Sequence, residues 1–357
     1  MRIQGRFVWF HLQNEAAPMK KRKVVRRLIW GFAIAAIAII ALAITLFPNL
    51  SSVKTTGRYA YASCRIELED ISRLEGFRND GSYRKLSVLV YYPDSNGIDK
   101  GSCPLIVFSH GGISLDTSNE SLYKELASHG YIVASISHTY HALSTKIDGR
   151  CIFINSDYMK ELNTENSNMD IEGSYACYQK WMALRTGDIN FVLDTLIQRA
   201  SEENTSFYPL IDTARIGLAG HSLGGAAMLG VARQRNDIMA VIALESPYMC
   251  DISGVDGNSF VWNTEPYQCA ILNIYSDTGY PLIESDNKYV QNKNHLYDGG
   301  NVGYCYIEGS NHFSLTDLVR TSPLLCKLLG DGYSKPGYET LKQINEICIA
   351  FFNKHVK

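Results

Sequence analysis

The sequence predicts an α/β fold with a mostly parallel central sheet, helices on both faces, and one transmembrane helix ahead of it. Three observations carry this expectation. An uncharged apolar run fills residues 28–47, short β-branched or aromatic runs recur after residue 58, and helix-like segments fall between those runs. At 357 residues, 46% hydrophobic and 20% charged, the chain is long enough to bury one large core. The expected organisation is a cytoplasmic segment at 1–27, the membrane helix at 28–47, a linker at 48–57 and a single domain at 58–357.

Residues 28–47 read LIWGFAIAAIAIIALAITLF. At 1.5 Å of rise per residue, a helix of that length crosses a hydrocarbon core about 30 Å thick. Lys20, Lys21, Arg22, Lys23, Arg26 and Arg27 precede it, whereas PNLSSVK follows. The positive-inside rule then places the N-terminus in the cytoplasm and the rest of the chain outside it. A cleaved signal peptide is the competing reading. Its apolar region would be shorter, and the nearest A-x-A, at Ala60 and Ala62, lies well past the run, so an anchor is favoured. A buried core helix is disfavoured because the run is apolar on every face. Met19 directly precedes KKRK and is read as the start, with 1–18 an upstream extension.

Strands are expected at 86–92, 105–109, 131–137, 215–219, 239–244, 270–275 and 303–307. Helices are expected near 120–129, 178–199, 223–234, 281–291 and 338–355. The last shows the logic: Leu341, Ile344, Ile347, Cys348, Phe351 and Phe352 recur at three- and four-residue steps and form a stripe that should lie on the sheet. Residues 141–176 and 250–268 are polar, weakly periodic and too long for ordinary connections, and are read as roofs over a site. Pro93–Gly101 reads as a plain turn.

A net charge of −2 offers no basic field for nucleic acid, which is not expected as a partner. Nine cysteines, without a CxxC pair or a Cys/His cluster, argue against structural zinc. Oxidising surroundings would permit disulfides, yet the count is odd and Cys269, Cys305 and Cys348 sit inside apolar runs where a thiol packs as a small hydrophobe. No specific bridge is predicted; Cys151 with Cys177 is the pair to test first.

The chemistry centres on residues 217–225, GLAGHSLGG. A strand-like run precedes them, a helix-like run follows, and Gly220 and Gly224 match G-x-S-x-G with Ser222 at the apex. Such an elbow strains the serine backbone and needs small neighbours, since side chains there would collide with the adjoining strand and helix. It leaves the hydroxyl at a helix N-terminus, where backbone N–H groups favour a developing oxyanion. A serine hydroxyl also needs a histidine to accept its proton and a carboxylate to orient that histidine. His312, in GSNHFSLTD after a strand, is the preferred base over His295, read as a solvated loop residue, and His355, read as a helix end. For the acid, Glu245 in VIALESPY and Asp277 in ILNIYSDTG both follow strands at the C-terminal sheet edge, and periodicity does not choose between them.

HSLGGAA, together with FSHGG at 108–112, ELASHGYIVASISH at 125–138, VYYP at 90–93, LRTGDINFVLDTL and GSNHFSLTD, resembles the platelet-activating-factor acetylhydrolase group of α/β-hydrolases from about Tyr59 onward. The resemblance implies an α/β-hydrolase fold and a triad acid after the strand that follows the elbow helix. That position is Glu245, 23 residues beyond Ser222, with Asp277 as the alternative. The family usually has aspartate there, so glutamate is a departure. Gly112 in FSHGG and Leu223 after the nucleophile are expected to supply the oxyanion-hole N–H donors. His110, His138 and His141 are read as braces for loops rather than a metal site. The implied activity is hydrolysis of carboxylic esters of short or oxidised acyl chains, including those of phospholipids, without a cofactor. A peptidase or acyltransferase on the same fold, or a non-catalytic tethered binding protein, are the alternatives.

Overall fold

Hydrophobic runs that alternate with helices should stack into one sheet with two covered faces, and the computed structural model contains that sheet. It describes residues 19–94, 97–298 and 300–357. The expected upstream extension at 1–18 lies outside the described residues, as do the side chains of Lys20, Lys21, Arg22 and Lys23. The chain divides into two units after Asn49.

In the first unit, helix α1 runs Met19–Leu46. Its stretch Val24–Leu46 is long and apolar enough to cross a membrane. Apolar side chains such as Ile29, Phe32, Ile37 and Ile44 are exposed. The helix starts well before residue 28 because Lys and Arg are good helix formers, and it stops just short of Pro48.

The central sheet of the second unit holds eight strands: β1 Tyr61–Leu74, β2 Tyr83–Pro93, β3 Cys103–Ser109, β4 Ile132–Ser137, β5 Ile211–His221, β6 Ile238–Leu244, β7 Ala270–Ser276 and β8 Val302–Ile307. Their order is β1-β2-β4-β3-β5-β6-β7-β8. All pairs from β4 onward are parallel, whereas β2 runs against both β1 and β4. This is the mostly parallel sheet that the alternation of strand-like and helix-like runs predicts. Strand β1 is an addition to the expected set. Cys64, Ile66 and Leu68 turn inward between Arg65, Glu67 and Glu69, the alternation of a strand with one wet face.

Side chains alternate between two cores. Along β3, Leu105 and Val107 face a layer with Ile189, Val192 and Leu193 of helix α4 (Ile171–Glu202) and Leu229 of helix α5 (Leu223–Gln234). Ile106 and Phe108 face the opposite layer, with Leu122 and Leu126 of helix α2 (Glu120–Ser128) and Leu341, Ile344, Cys348 and Phe352 of the C-terminal helix Gly337–His355. The expected stripe therefore lies on the sheet, although Ile347 and Phe351 are only half-buried at its margin. Each fully buried Leu, Ile or Phe contributes about 1.5–3 kcal/mol.

The polar connections carry structure of their own. In 141–176, Ser144–Ile147 pairs with Arg150–Phe153 around Asp148-Gly149, both at positive φ, the geometry of a tight hairpin turn. Helix α3 (Ser156–Thr164) follows, and α4 begins at Ile171 rather than 178 because the Asp170 side chain caps it, accepting the Gly173 N–H at 2.9 Å. In 250–268 a second hairpin, Ile252–Asp256 with Ser259–Trp262, docks on α4: Tyr175 Oη donates to the Ser253 carbonyl and Gln179 Nε2 to that of Ile252. The expected helix at 281–291 is instead a short turn at Leu282–Ser285 and a helix at Val290–Asp298, parted at Asp286, whose side chain accepts the Lys288 N–H. All nine cysteines are free; Cys151 lies exposed on its hairpin and Cys177 half-buried on α4.

Candidate active site

The elbow forms where β5 hands over to α5. Ser222 sits between them at φ 54° and ψ −125°, a left-handed backbone that costs about 1–3 kcal/mol for a non-glycine residue. Its N–H donates to the Leu244 carbonyl at 2.8 Å, tying the bend to β6. The neighbouring glycines provide clearance. A Cβ at Gly220 would come within 2.6 Å of the Gly224 and Gly225 backbone, and one at Gly224 within 2.0 Å of the Ser109 carbonyl oxygen. Leu223 is the first residue of α5, so its N–H has no acceptor four residues back within the helix.

His312 arrives on the loop after β8. Asn311 and Ser314 cap that turn reciprocally, and the His312 N–H donates to Thr278 Oγ1 at 2.9 Å. The ring's Nδ1 lies 2.6 Å from Glu245 Oε1. An ionised carboxylate only accepts, so Nδ1 is the donor in this contact, and Nε2 is the ring nitrogen left to exchange a proton with a neighbour.

Glu245 follows β6 at φ 48°, its N–H bonded to the Ile274 carbonyl. Its carboxylate is buried, and Oε2 accepts from both the N–H and the hydroxyl of Ser276. Gly279 packs beneath it, where a Cβ would stand 2.0 Å from Glu245 Cδ. Burial by itself would raise this carboxyl's pKa. The adjacent His312 and the hydrogen bonds from His312 and Ser276 outweigh burial and hold it below the usual range.

Of the two expected acids, the fold brings only Glu245 to His312. Asp277 points into its own turn, accepting from Tyr306 Oη at 2.6 Å and the Gly309 N–H at 3.0 Å. His295 packs its ring 4.7 Å from that of Tyr248, and His355 lies over Phe351 in the last turn of the C-terminal helix. Contrary to expectation, His295 is on a helix rather than a loop.

Ser222, His312 and Glu245 line one cavity of about 410 Å³, together with Gly112, Leu223, Leu162, Trp181 and Phe313. Leu162 on α3 and Glu165 bring segment 141–176 over it as expected. Segment 250–268 does not line it, because its hairpin is spent on α4; Thr278–Tyr289 and Leu329–Asp331 contribute walls instead. The loop after β3 crosses close to the serine, a Cβ at Gly111 falling 3.6 Å from Ser222 Cβ.

The three histidines near this loop act as braces. His138 bridges Asp188 and Ser109 at 2.9 Å each, and burial pushes it down to about 4 despite Asp188. His141 stacks on Tyr158 with ring centroids 3.6 Å apart, and His110 Nδ1 lies 2.8 Å from the Gly111 carbonyl. A further histidine escaped sequence reasoning. His221 holds its ring 4.4 Å from that of His312 and its Nε2 3.0 Å from the His312 carbonyl. Burial, then the neighbouring His312, keeps it neutral, so Nε2–H is the donor. Ser276, Thr278 and Gly279 were likewise missed, although they flank Asp277 in the segment read for its acid.

A model of the family described as platelet-activating factor acetylhydrolase, isoform II, matches residues 94–357. The chain belongs to this family. It is a carboxylic-ester hydrolase of the α/β-hydrolase superfamily. Among curated relatives it is 24% identical to Cutinase 1 of Thermobifida cellulosilytica, with 69% of this chain and 70% of that one aligned. It is 28% identical to the platelet-activating factor acetylhydrolase of Canis lupus familiaris over 40% of this chain and 35% of the relative. It is 27% identical to a probable 1-alkyl-2-acetylglycerophosphocholine esterase of Arthroderma benhamiae over 39% and 30%. The chain thus spans about a third of the two latter relatives. A ferulic acid esterase from Streptomyces cinnamoneus shares the fold, with a TM-score of 0.63 at 19% identity, covering 86% of this chain and 93% of that structure.

Proposed function

We propose that the chain is a membrane-anchored serine hydrolase that cleaves carboxylic esters through Ser222, His312 and Glu245. The observation that carries this reading is the 2.6 Å bond between His312 Nδ1 and Glu245, made on the wall of the same cavity that receives Ser222 from its positive-φ elbow. His312 Nε2 takes the Ser222 proton as Oγ attacks the ester carbonyl. The Gly112 and Leu223 N–H groups hold the tetrahedral oxyanion. The His312 proton then passes to the departing alcohol, leaving an acyl-enzyme. Water, deprotonated by the same imidazole, releases the acid and restores Ser222. Glu245 stays ionised throughout and stabilises the imidazolium.

The cavity's size and its Leu162, Trp181, Met249, Leu282 and Phe313 lining suit a short or oxidised acyl chain. Relatives named for acetylglycerophosphocholine and cutin support lipid esters, phospholipids among them, as the substrate class. Helix α1 supplies the anchor, with the catalytic unit on the extracytoplasmic side.

Fluorophosphonate labelling followed by peptide mapping tests the site: the label belongs on Ser222 and vanishes in Ser222→Ala. A wild-type protein left unlabelled would refute the reading. Parallel turnover of p-nitrophenyl acetate, a matched anilide and short-chain phospholipid separates an esterase from a peptidase, and added alcohol acceptors expose an acyltransferase. Full-length chain should resist alkaline carbonate extraction from membranes, and residues 50–357 should not.

A further inference from the structure

We propose that Arg185, on α4, is a positioning residue for the oxyanion hole, acting through the peptide that joins Gly111 to Gly112. This rests on the reading of Gly112 as an oxyanion donor. Arg185 is completely buried. Its Nη2 donates to the Gly111 carbonyl at 3.1 Å and its Nη1 to the His110 carbonyl. The Gly111 carbonyl is the C=O end of the very amide whose N–H end belongs to Gly112. A cation hydrogen-bonded at one end of an amide draws electron density from it, which strengthens the N–H at the other end as a donor and fixes the plane in which that N–H points.

Three further observations support a positioning role rather than a chance staple. The same Gly111 carbonyl faces His110 Nδ1 at 2.8 Å, and burial followed by the Arg185 charge keeps His110 neutral, so it donates one proton without adding a second charge. The Gly112 carbonyl accepts from Tyr158 Oη at 3.3 Å, so both carbonyls flanking the Gly112 N–H are held. Among the described residues, the hydrogen bonds of Arg185 end on neutral oxygens, of Ser109, His110, Gly111 and Tyr158. Burying a guanidinium against neutral partners alone is costly. Asp188, reached from Ser109 only through His138, is already committed to Arg73, Arg84 and His138. The charge of Arg185 is therefore left to act on the loop beside Ser222, where negative charge develops only in the transition state. Two adjacent glycines would otherwise leave that loop free to rotate.

The test compares oxygen and sulfur esters. Stabilisation by N–H donors is strong for an oxyanion and weak for the larger, softer thiolate-like anion formed from a thionoester. Full-length wild type, Arg185→Met and Arg185→Lys are assayed on p-nitrophenyl acetate and p-nitrophenyl thionoacetate, with thermal melts as a check of folding. Arg185→Met should lose about 100- to 1,000-fold in kcat on the oxygen ester, as when one oxyanion donor is removed, with KM within about twofold. Its oxygen-to-sulfur rate ratio should narrow at least tenfold, and Arg185→Lys should recover part of both. A folded Arg185→Met with the wild-type ratio overturns the proposal, whatever its absolute activity. Should Arg185→Met not fold, Arg185→Lys decides alone: a narrowed ratio supports the role and an unchanged one overturns it. Failure of the catalytic reading itself looks different, because Ser222 would then resist fluorophosphonate labelling in the wild type.

Discussion

Replacing Glu245 probes the proposed acid, at the position where the resemblance implies aspartate. In Glu245→Gln the side chain keeps its length, but its two ends now differ. Oε1 faces His312 Nδ1–H at 2.6 Å, and Oε2 faces two donors from Ser276. Whichever way the amide is turned, its NH₂ opposes an N–H, so either the imidazole takes the wrong tautomer or the Ser276 N–H is left unpaired. A hydrogen bond to a charged group contributes about 1.5–3 kcal/mol, roughly 10- to 150-fold in rate. The imidazolium also loses its buried counter-charge, and the corresponding change in a serine protease triad costs ~10⁴-fold. We expect kcat on p-nitrophenyl acetate to fall by about 10²–10⁴. Glu245→Asp shortens the arm by one bond, about 1.5 Å, which stretches the 2.6 Å contact beyond hydrogen-bond range. It should lose at least tenfold, even though the resemblance implies aspartate at this position. Asp277→Asn, which only loosens a turn, should stay within about threefold of wild type. An Asp277→Asn loss equal to that of Glu245→Gln would refute the assignment.

The remaining expectations concern packing and charge. Gly224→Ala places a Cβ 2.0 Å from the Ser109 carbonyl oxygen, so strand and helix must part by about 1 Å; a misplacement of that size costs about 100-fold in kcat, and overpacking about 1–3 kcal/mol in stability, read by kinetics and urea denaturation. Asp188→Asn breaks the buried pair with Arg84 and should destabilise by about 3–5 kcal/mol at pH 7. Burial would raise the Asp188 pKa, but Arg84 and His138 outweigh it and hold the group far below its ordinary value. A depressed carboxyl stabilises the fold above its unfolded pKa of about 3.9 and loses that effect as pH falls toward the folded value. The Tm gap between wild type and Asp188→Asn should therefore stay flat from pH 8 to about 5 and narrow only below about 4. Because all nine cysteines are free, reductant should leave the Tm unchanged, and thiol titration of the unfolded chain should count nine with or without it.

Most of the sheet was legible because its strands are apolar on both faces, and runs such as LIVFS at 105–109 have few other uses. Strand β1 was harder to see: it is wet on one side, and Arg65, Glu67 and Glu69 dilute its signal. Ser222 and His312 were legible through local context, strand–turn–helix for one and strand–loop for the other. The choice between Glu245 and Asp277 was not readable from periodicity. It depends on which carboxylate the sheet aims at His312, and the deciding contacts join residues far apart in sequence, His312 with Glu245 and Glu245 with Ser276. Arg185 was hidden for the same reason. Its partners at 109–111 lie more than 70 residues away, and nothing in LRTGDINF marks an arginine that turns inward.

The contact between Gly279 and the Glu245 carboxylate ties two positions into one unit of descent. A lineage that trades the longer acid for aspartate vacates the space that forbids a side chain at 279, and one that first acquires a residue larger than glycine at 279 jams its own acid. Change at either place alone passes through an impaired protein. Chains of this kind should therefore inherit glutamate and glycine together, or exchange both.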